Sequence, residues 1–224
     1  MKKMFLLALT GWLIFCTLQT DAGKEITSAP TAAAAVDRLL EGNKRYTQYE
    51  PIHPDESRLR RKELTKGQHP YAVVVTCSDS RVSPELVFDQ GLGDIFVIRT
   101  AGNIMGEIEL GSIEYAVEHL NVPLVMVVGH EGCGAIGAYV KGEHASGYLK
   151  TIIDSIAAES EIKALKIKGD QVFDHFVKAN IQHGVREIIQ SSPVIRERVA
   201  NGALTVMGGY ERLVDGKVEP LQSN

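Results

Sequence analysis

Two short segments concentrate side chains suited to metal chemistry. The first is Cys77-Ser78-Asp79-Ser80-Arg81, and the second is Gly129-His130-Glu131-Gly132-Cys133-Gly134. Two thiolates and one imidazole suit a tetrahedral zinc ion, and three protein ligands leave a fourth position open for water, as in catalytic rather than structural sites. The H-x-x-C spacing lets His130 and Cys133 reach one ion where a chain turns from strand into helix, and the flanking glycines permit that tight approach. Two blander readings stand beside this one. A Cys77–Cys133 disulfide leaves His130, Asp79 and Arg81 unexplained, and a structural zinc normally has four Cys/His ligands. Asp79 and Arg81 form the next layer. A carboxylate held by charge-assisted hydrogen bonds from Arg81 is placed to accept a hydrogen bond from a nucleophilic water and orient it; a surface ion pair is the simpler alternative.

Groups so far apart in sequence need rigid elements to bring them together. Tyr71 to Thr76, Ile95 to Ile98, Pro123 to Val128 and Ala203 to Met207 read as strands; the first and third are continuous apolar runs, as in a strand buried on both faces. Helices are expected over Thr31–Tyr46, Ile108–Leu120, Gly134–Val140 and Phe173–Ile189. A further short helix begins at Ser192-Pro193, an N-cap followed by proline at the first helical position, and runs to Val199. Tyr49 to Lys66 is polar and irregular at its start, and Asp215-Gly216 marks a hairpin turn. Buried strands alternating with helices indicate an α/β fold, a mostly parallel central sheet flanked by helices, with an N-terminal helical arm. Sites in such folds lie beyond the carboxyl ends of the strands. Cys77 follows the first strand and His130 the third, so both are expected at one sheet edge.

Composition fits one soluble α/β domain over residues 23–224. The chain has 224 residues, 44% hydrophobic and 23% charged, with net charge −4, so no nucleic-acid partner is indicated. The N-terminus has the layout of a secretory signal peptide over residues 1–22. A basic Met1-Lys2-Lys3 start precedes an apolar Met4–Leu18 core, and Thr20 and Ala22 are small residues before a cut. That core is short for a spanning helix, which needs about 20 apolar residues, so no stable membrane anchor is expected. The exported protein is expected in a bacterial periplasm. Of three cysteines, Cys16 lies in the leader, leaving Cys77 and Cys133.

The two motifs together resemble the β-class carbonic anhydrases. The resemblance runs from Ala29 to Leu221 and includes Ala101-Gly102-Asn103, Gly111-Ser112-Ile113-Glu114-Tyr115 and Val214-Asp215-Gly216-Lys217-Val218. It implies reversible hydration of carbon dioxide to bicarbonate, zinc held by Cys77, His130 and Cys133, and an Asp79–Arg81 dyad. It also implies a substrate pocket: Gln68 as a hydrogen-bonding group, Phe96 and Tyr115 as apolar and phenolic walls, Ala101 where many members have valine, and the Gly134 backbone amide against bicarbonate. One subclass binds bicarbonate at a second pocket that uses a tryptophan; the sole tryptophan here, Trp12, lies in the leader. Some relatives close the metal with the aspartate equivalent to Asp79. The family builds homodimers and homotetramers in which N-terminal helices wrap a neighbour, a role the 31–46 helix fits. Two thiolates cancel the formal charge of zinc, so activity is expected to rise toward alkaline pH. The competing functions are hydrolysis of carbon disulfide or carbonyl sulfide, and a non-catalytic zinc or redox protein.

Overall fold

The computed structural model describes residues 30–165 and 172–221, so the leader sequence and Cys16 lie outside the described residues. In chain order the elements are α1 (Ala32–Thr47), α2 (Arg58–Leu64), β1 (Ala72–Cys77), α3 (Pro84–Val87), β2 (Ile95–Thr100), a 3-10 turn (Ala101–Asn103), α4 (Glu107–His119), β3 (Leu124–His130), α5 (Gly134–Val140), α6 (Gly147–Ala158), α7 (Ser160–Ala164), α8 (Val172–Ser191), α9 (Pro193–Ala200), β4 (Thr205–Glu211) and β5 (Val218–Leu221). The strands form one sheet in the order β2-β1-β3-β4-β5. All pairs are parallel except β4 with β5, which the hairpin at Asp215-Gly216 makes antiparallel.

Every residue of β1 and β3 is buried, as their unbroken apolar runs required. Successive side chains point to opposite faces, and two cores result. Val73, Val75, Val125 and Val127 pack with Ile113, Ile181 and Ile188 on one face. Ala72, Val74, Leu124 and Met126 pack with Ala35, Leu39 and Phe88 on the other. Among the described residues, no helix is long and apolar enough to cross a membrane.

Both key strands run further than hydropathy alone marks, and Cys77 and His130 are their last residues rather than the first residues beyond them. β4 likewise continues past Met207 through Gly208 and Gly209. A Cβ on Gly208 would lie 2.7 Å from Ile181 Cγ2, and one on Gly209 would lie 3.0 Å from Val218 Cγ1, so these glycines let α8 approach the sheet and leave room for the Val218 side chain of β5. The polar 49–66 stretch contains α2, begun by Ser57, whose side chain accepts from the Arg60 N–H. The segment after α5, for which the sequence pattern gives no expectation, contains α6 and α7.

Helix α1 is capped by the Thr31 hydroxyl, which accepts from Ala34 N–H at 3.2 Å. Buried Asn43 then ties it to the sheet: its Nδ2 donates to Val87 O (3.0 Å) and Gly216 O (2.8 Å), and its Oδ1 accepts from Val218 N–H (2.9 Å). The helix comes so close that a Cβ on Gly42 would sit 1.7 Å from the Phe88 carbonyl oxygen, a backbone atom with no easy retreat. Gly42→Ala is therefore expected to destabilise the protein by about 1–3 kcal/mol or more, seen as a lower thermal midpoint. An unchanged midpoint would show that α1 is not seated as described.

Candidate metal centre

The carboxyl ends of β1 and β3 carry the site. Thr76 pairs with Val128, so Cys77 and His130 lie one residue beyond and two residues beyond that pair. After His130 the chain turns through Gly132, at φ 63°, and Cys133 caps the start of α5. The Cys77 and Cys133 sulfurs and one ring nitrogen of His130 all lie within 4.8 Å of one another, and all three residues are buried. Both cysteines are free thiols.

The orientation of His130 is decisive. Its Nδ1 lies 2.8 Å from the Glu131 carbonyl oxygen. A carbonyl only accepts, so Nδ1 carries the proton and Nε2 presents a lone pair. That Nε2 is fully buried with no hydrogen-bond partner, which is costly for a polar atom unless a cation takes it. A bare lone pair facing two sulfurs is a donor set for a thiophilic metal ion. Without metal, the thiols share their protons unequally. Hydrogen bonds from the Cys133 thiol and the Gly102 N–H bring the Cys77 thiol well below its ordinary range, against its burial. Cys133, which donates to Cys77 and is itself buried, moves the opposite way.

Asp79 is pinned beside this cluster. Arg81 donates from Nε to Oδ1 (2.9 Å) and from a terminal nitrogen to Oδ2 (2.7 Å), and its backbone N–H also reaches Oδ1 (3.0 Å). The same guanidinium reaches the Gly132 carbonyl at 3.2 Å, bridging the two motifs. Hydrogen bonds from Arg81 hold the Asp79 carboxyl well below the usual carboxylate range. Asp79 Oδ2 lies 3.9 Å from His130 Nε2. An ionised carboxylate is an acceptor only, and this one has its free lone pairs next to the metal-binding trio.

Comparison with known proteins agrees with this geometry. A profile of the family described as Carbonic anhydrase matches residues 72–218. The chain is 40% identical over 188 residues to Carbonic anhydrase 2 of Mycobacterium tuberculosis, covering 82% of this chain and 90% of that protein. This chain belongs to the carbonic anhydrase family, in its β class. Among solved structures, the β-carbonic anhydrase CcaA superposes with a TM-score of 0.68 at 29% identity, over 84% of this chain and 88% of that one. A tetrameric β-carbonic anhydrase from Sordaria macrospora gives a TM-score of 0.65 at 25% identity, over 84% and 97% of the two chains. Reversible hydration of carbon dioxide is the family reaction, and zinc is the metal of the β class.

The remaining pocket residues divide into two groups. Ala101 follows Thr100, which pairs with Cys77, so it borders the trio. Gly134 opens α5 next to Cys133, and nothing lies within 4 Å of where its Cβ would be. Gln68, Phe96 and Tyr115 lie elsewhere in the chain. Gln68 is exposed and precedes β1, at the end opposite Cys77. Phe96 pairs with Val73, four positions before the row of Cys77, and stacks on Tyr115 of α4 with ring centroids 6.3 Å apart. Tyr115 is 46% exposed and also stacks on His119.

Three groups of the site were missed by sequence reasoning. Arg99 donates to the carbonyls of Cys77 (3.0 Å), Asp79 (2.8 Å) and Val82 (2.9 Å), and so shapes the loop that carries the dyad. An arginine inside an apolar strand was the available signal. The Gly102 N–H donates to Cys77 Sγ at 3.2 Å. Glu211 is paired in register with His130 and buried, which pushes its carboxyl up to about 7. Glu131 Oε2 accepts from Leu213 N–H (2.9 Å) and ties the turn after β3 to the hairpin. The protein as purified is expected to carry about one zinc per chain, and Cys133→Ala to lose most of it. Elemental analysis checks this, and full zinc content in Cys133→Ala would overturn the ligand assignment.

Proposed function

We propose that this chain hydrates carbon dioxide at a zinc ion held by Cys77, His130 and Cys133, with Asp79 as the group that orients the nucleophile. The observation that carries the reading is the Asp79 carboxylate, gripped at both oxygens by Arg81 and set 3.9 Å from the bare His130 Nε2. Zinc bound there supplies the Lewis acidity that makes water nucleophilic near neutral pH. Asp79, being ionised, accepts a hydrogen bond from that water and fixes which lone pair faces the substrate. Arg81 fixes Asp79 in turn. To act as a ligand itself, the Asp79 carboxylate would have to break two charge-assisted hydrogen bonds, so Arg81 would keep it in the role of hydrogen-bond acceptor. Ala101, small and next to Cys77, leaves room for carbon dioxide. Gly134, with open space before it, offers backbone polar groups to bicarbonate.

The pH dependence follows from signs. Asp79 has its folded pKa depressed, so it stays ionised from neutral pH until acid well below the usual carboxylate range. A rise in activity between pH 6 and 9 therefore reports the metal centre, slowed in its acidity by two thiolates, and not the dyad. In stopped-flow assays the rate of carbon dioxide hydration is expected to climb over that window. Asp79→Asn should keep its zinc and lose activity by about 10²–10⁴-fold. A flat profile, or full activity in Asp79→Asn, would sink the mechanism. Assays on carbon disulfide and carbonyl sulfide in parallel distinguish the related hydrolase reading.

The apolar and amide walls of the pocket come, in this proposal, from a second copy in a homodimer or homotetramer. Gln68, Phe96 and Tyr115 all lie away from the trio of their own chain. β2 is an edge strand with only partial burial, and exposed edges of this kind are usually covered. A two-fold axis across that edge reverses the direction of the second copy and brings its strand beginnings to the strand ends of the first. Light scattering should give a mass of two or four chains. Mixing unfolded Cys133→Ala and Gln68→Ala chains and refolding them together should restore activity that neither homo-oligomer has. If the mixture stays inactive, the pocket belongs to one chain.

The proposal also places the enzyme outside the cytoplasm, with residues 1–22 removed as a signal peptide. Its support is the basic start, the short apolar core and the small residues Thr20 and Ala22. N-terminal sequencing of the protein from a periplasmic extract should begin near Gly23; recovery of the intact chain from the cytosol alone would overturn it.

A further inference from the structure

A second polar cluster is buried behind the metal centre, and the reaction described above makes no use of it. Glu159, at the junction of α6 and α7, is 2% exposed, and Asn180 of α8 and Asn103 of the 3-10 turn are 2% and 3% exposed. They form a chain. Asn103 Nδ2 donates to Asn180 Oδ1 at 2.8 Å, and Asn180 Nδ2 donates to Glu159 Oε1 at 2.8 Å. Glu159 Oε2 is buried with no partner. The residue borders a cavity of about 40 Å³ shared with Asn103, Asn180, Ser155, His183 and Glu187, enough for a water molecule. Burial pushes the Glu159 carboxyl up to about 8, so it is largely protonated at neutral pH and able to donate into that cavity.

The far end of this chain is next to a metal ligand. Asn103 follows Gly102, whose N–H donates to Cys77 Sγ at 3.2 Å. The turn has little freedom of its own. Gly102 and Asn103 both have positive φ, 67° and 46°, and a Cβ on Gly102 would meet Ala135 Cβ at 2.9 Å. Thr100 Oγ1 closes it by donating to Ile104 O at 2.6 Å. Left-handed backbone at a non-glycine residue persists only where surroundings hold it, and the amide of Asn103 is held by Asn180.

We propose that Glu159 is a positioning residue of the metal centre: through Asn180 and Asn103 it fixes the Ala101–Asn103 turn so that the Gly102 N–H hydrogen-bonds the Cys77 sulfur. A hydrogen bond to the Cys77 sulfur fixes which of its lone pairs faces the site and so preorganises it as a ligand; such outer partners commonly set affinity by about 10–100-fold.

The inference rests on the metal reading of Cys77, His130 and Cys133, and cobalt-loaded protein tests the two separately. Cobalt bound by thiolates absorbs in the near ultraviolet through sulfur-to-metal charge transfer. Glu159→Ala should shift that band and lower metal affinity, measured by chelator competition, by about 10–100-fold. Glu159→Gln, which keeps an oxygen for Asn180 and mimics the neutral acid, should restore both. Ile195→Val, a conservative change at a buried position of α9, outside the Glu159–Asn180–Asn103 chain, should leave both as in the wild type. The proposal is overturned if folded Glu159→Ala matches the wild type, if Glu159→Gln fails to rescue, or if Ile195→Val gives the same changes. Should Glu159→Ala not fold, Asn180→Ala takes its place: a shifted band and weakened affinity are expected, and wild-type values of both overturn the proposal. A wild type that takes up no cobalt overturns the metal reading and this inference with it.

Discussion

The pairing of β1 with β3 is the constraint on which the rest depends. Four residue pairs, Val73 with Val125 through Thr76 with Val128, set the relative height of the two strands. A shift of one residue would turn every side chain of a strand to the other face, exchanging the two cores and separating Cys77 from His130. The site is thus as well determined as the sheet. Neither strand contains a charge, both are buried throughout, and the two faces demand alternating packing partners that only one register satisfies. The third ligand needs no separate device. Cys133 is delivered by the turn that must follow β3 before α5 can fold back, and Gly132 supplies the positive φ of that turn.

A second constraint is electrostatic. Two thiolates, one neutral imidazole and a divalent ion sum to no net charge, so the trio can sit in a buried place without a large desolvation penalty. The same cancellation would weaken the pull of such an ion on a bound water. Around the trio, the chain places groups that act against that loss. The Gly102 N–H draws charge from one sulfur. Arg81 and Arg99 bring two cations to the loop between Cys77 and Val82, one on the Asp79 side chain and one on the backbone carbonyls. Asp79 is consequently both ionised and immobile, which is what a group that orients water requires. The buried Glu211 carboxyl, beside His130 in register, is pushed toward neutrality by the same lack of solvent.

Much of this was legible in the sequence because the signals were local. Continuous β-branched runs marked β1 and β3, and proline after serine marked the start of α9. The ligands were legible because their chemistry is unusual: two cysteines and a histidine at strand ends have few other uses. What escaped notice depends on distant contacts. Arg99 acts across to β1 and its loop, a pairing that exists only once Thr76 and Arg99 are in register. Asn103, Asn180 and Glu159 come from three separate elements, and each alone reads as an ordinary polar residue. The extent of β4 was hidden by Gly208 and Gly209, which lower strand propensity but are required by the approach of Ile181 and Val218.

Gln68, Phe96 and Tyr115 show a different limit. The resemblance that implies them as pocket residues does not say which chain's metal they would serve. In a parallel sheet the beginnings of strands are separated from their ends by the length of the strand, roughly 3.3 Å per residue, so a residue before β1 and one after it are at opposite sides of the domain. In the homo-oligomer proposed above, a second copy running the other way would bring the two together. The edge strand β2 then has one physical reason for two properties. Its partly exposed face, with Phe96 and Tyr115 packed on it, would be a liability in an isolated chain and would become a pocket wall in that assembly. On that proposal assembly and catalysis are linked through that edge: dilution that separates the copies would remove the walls of the site while leaving its metal ligands, all from one chain, in place.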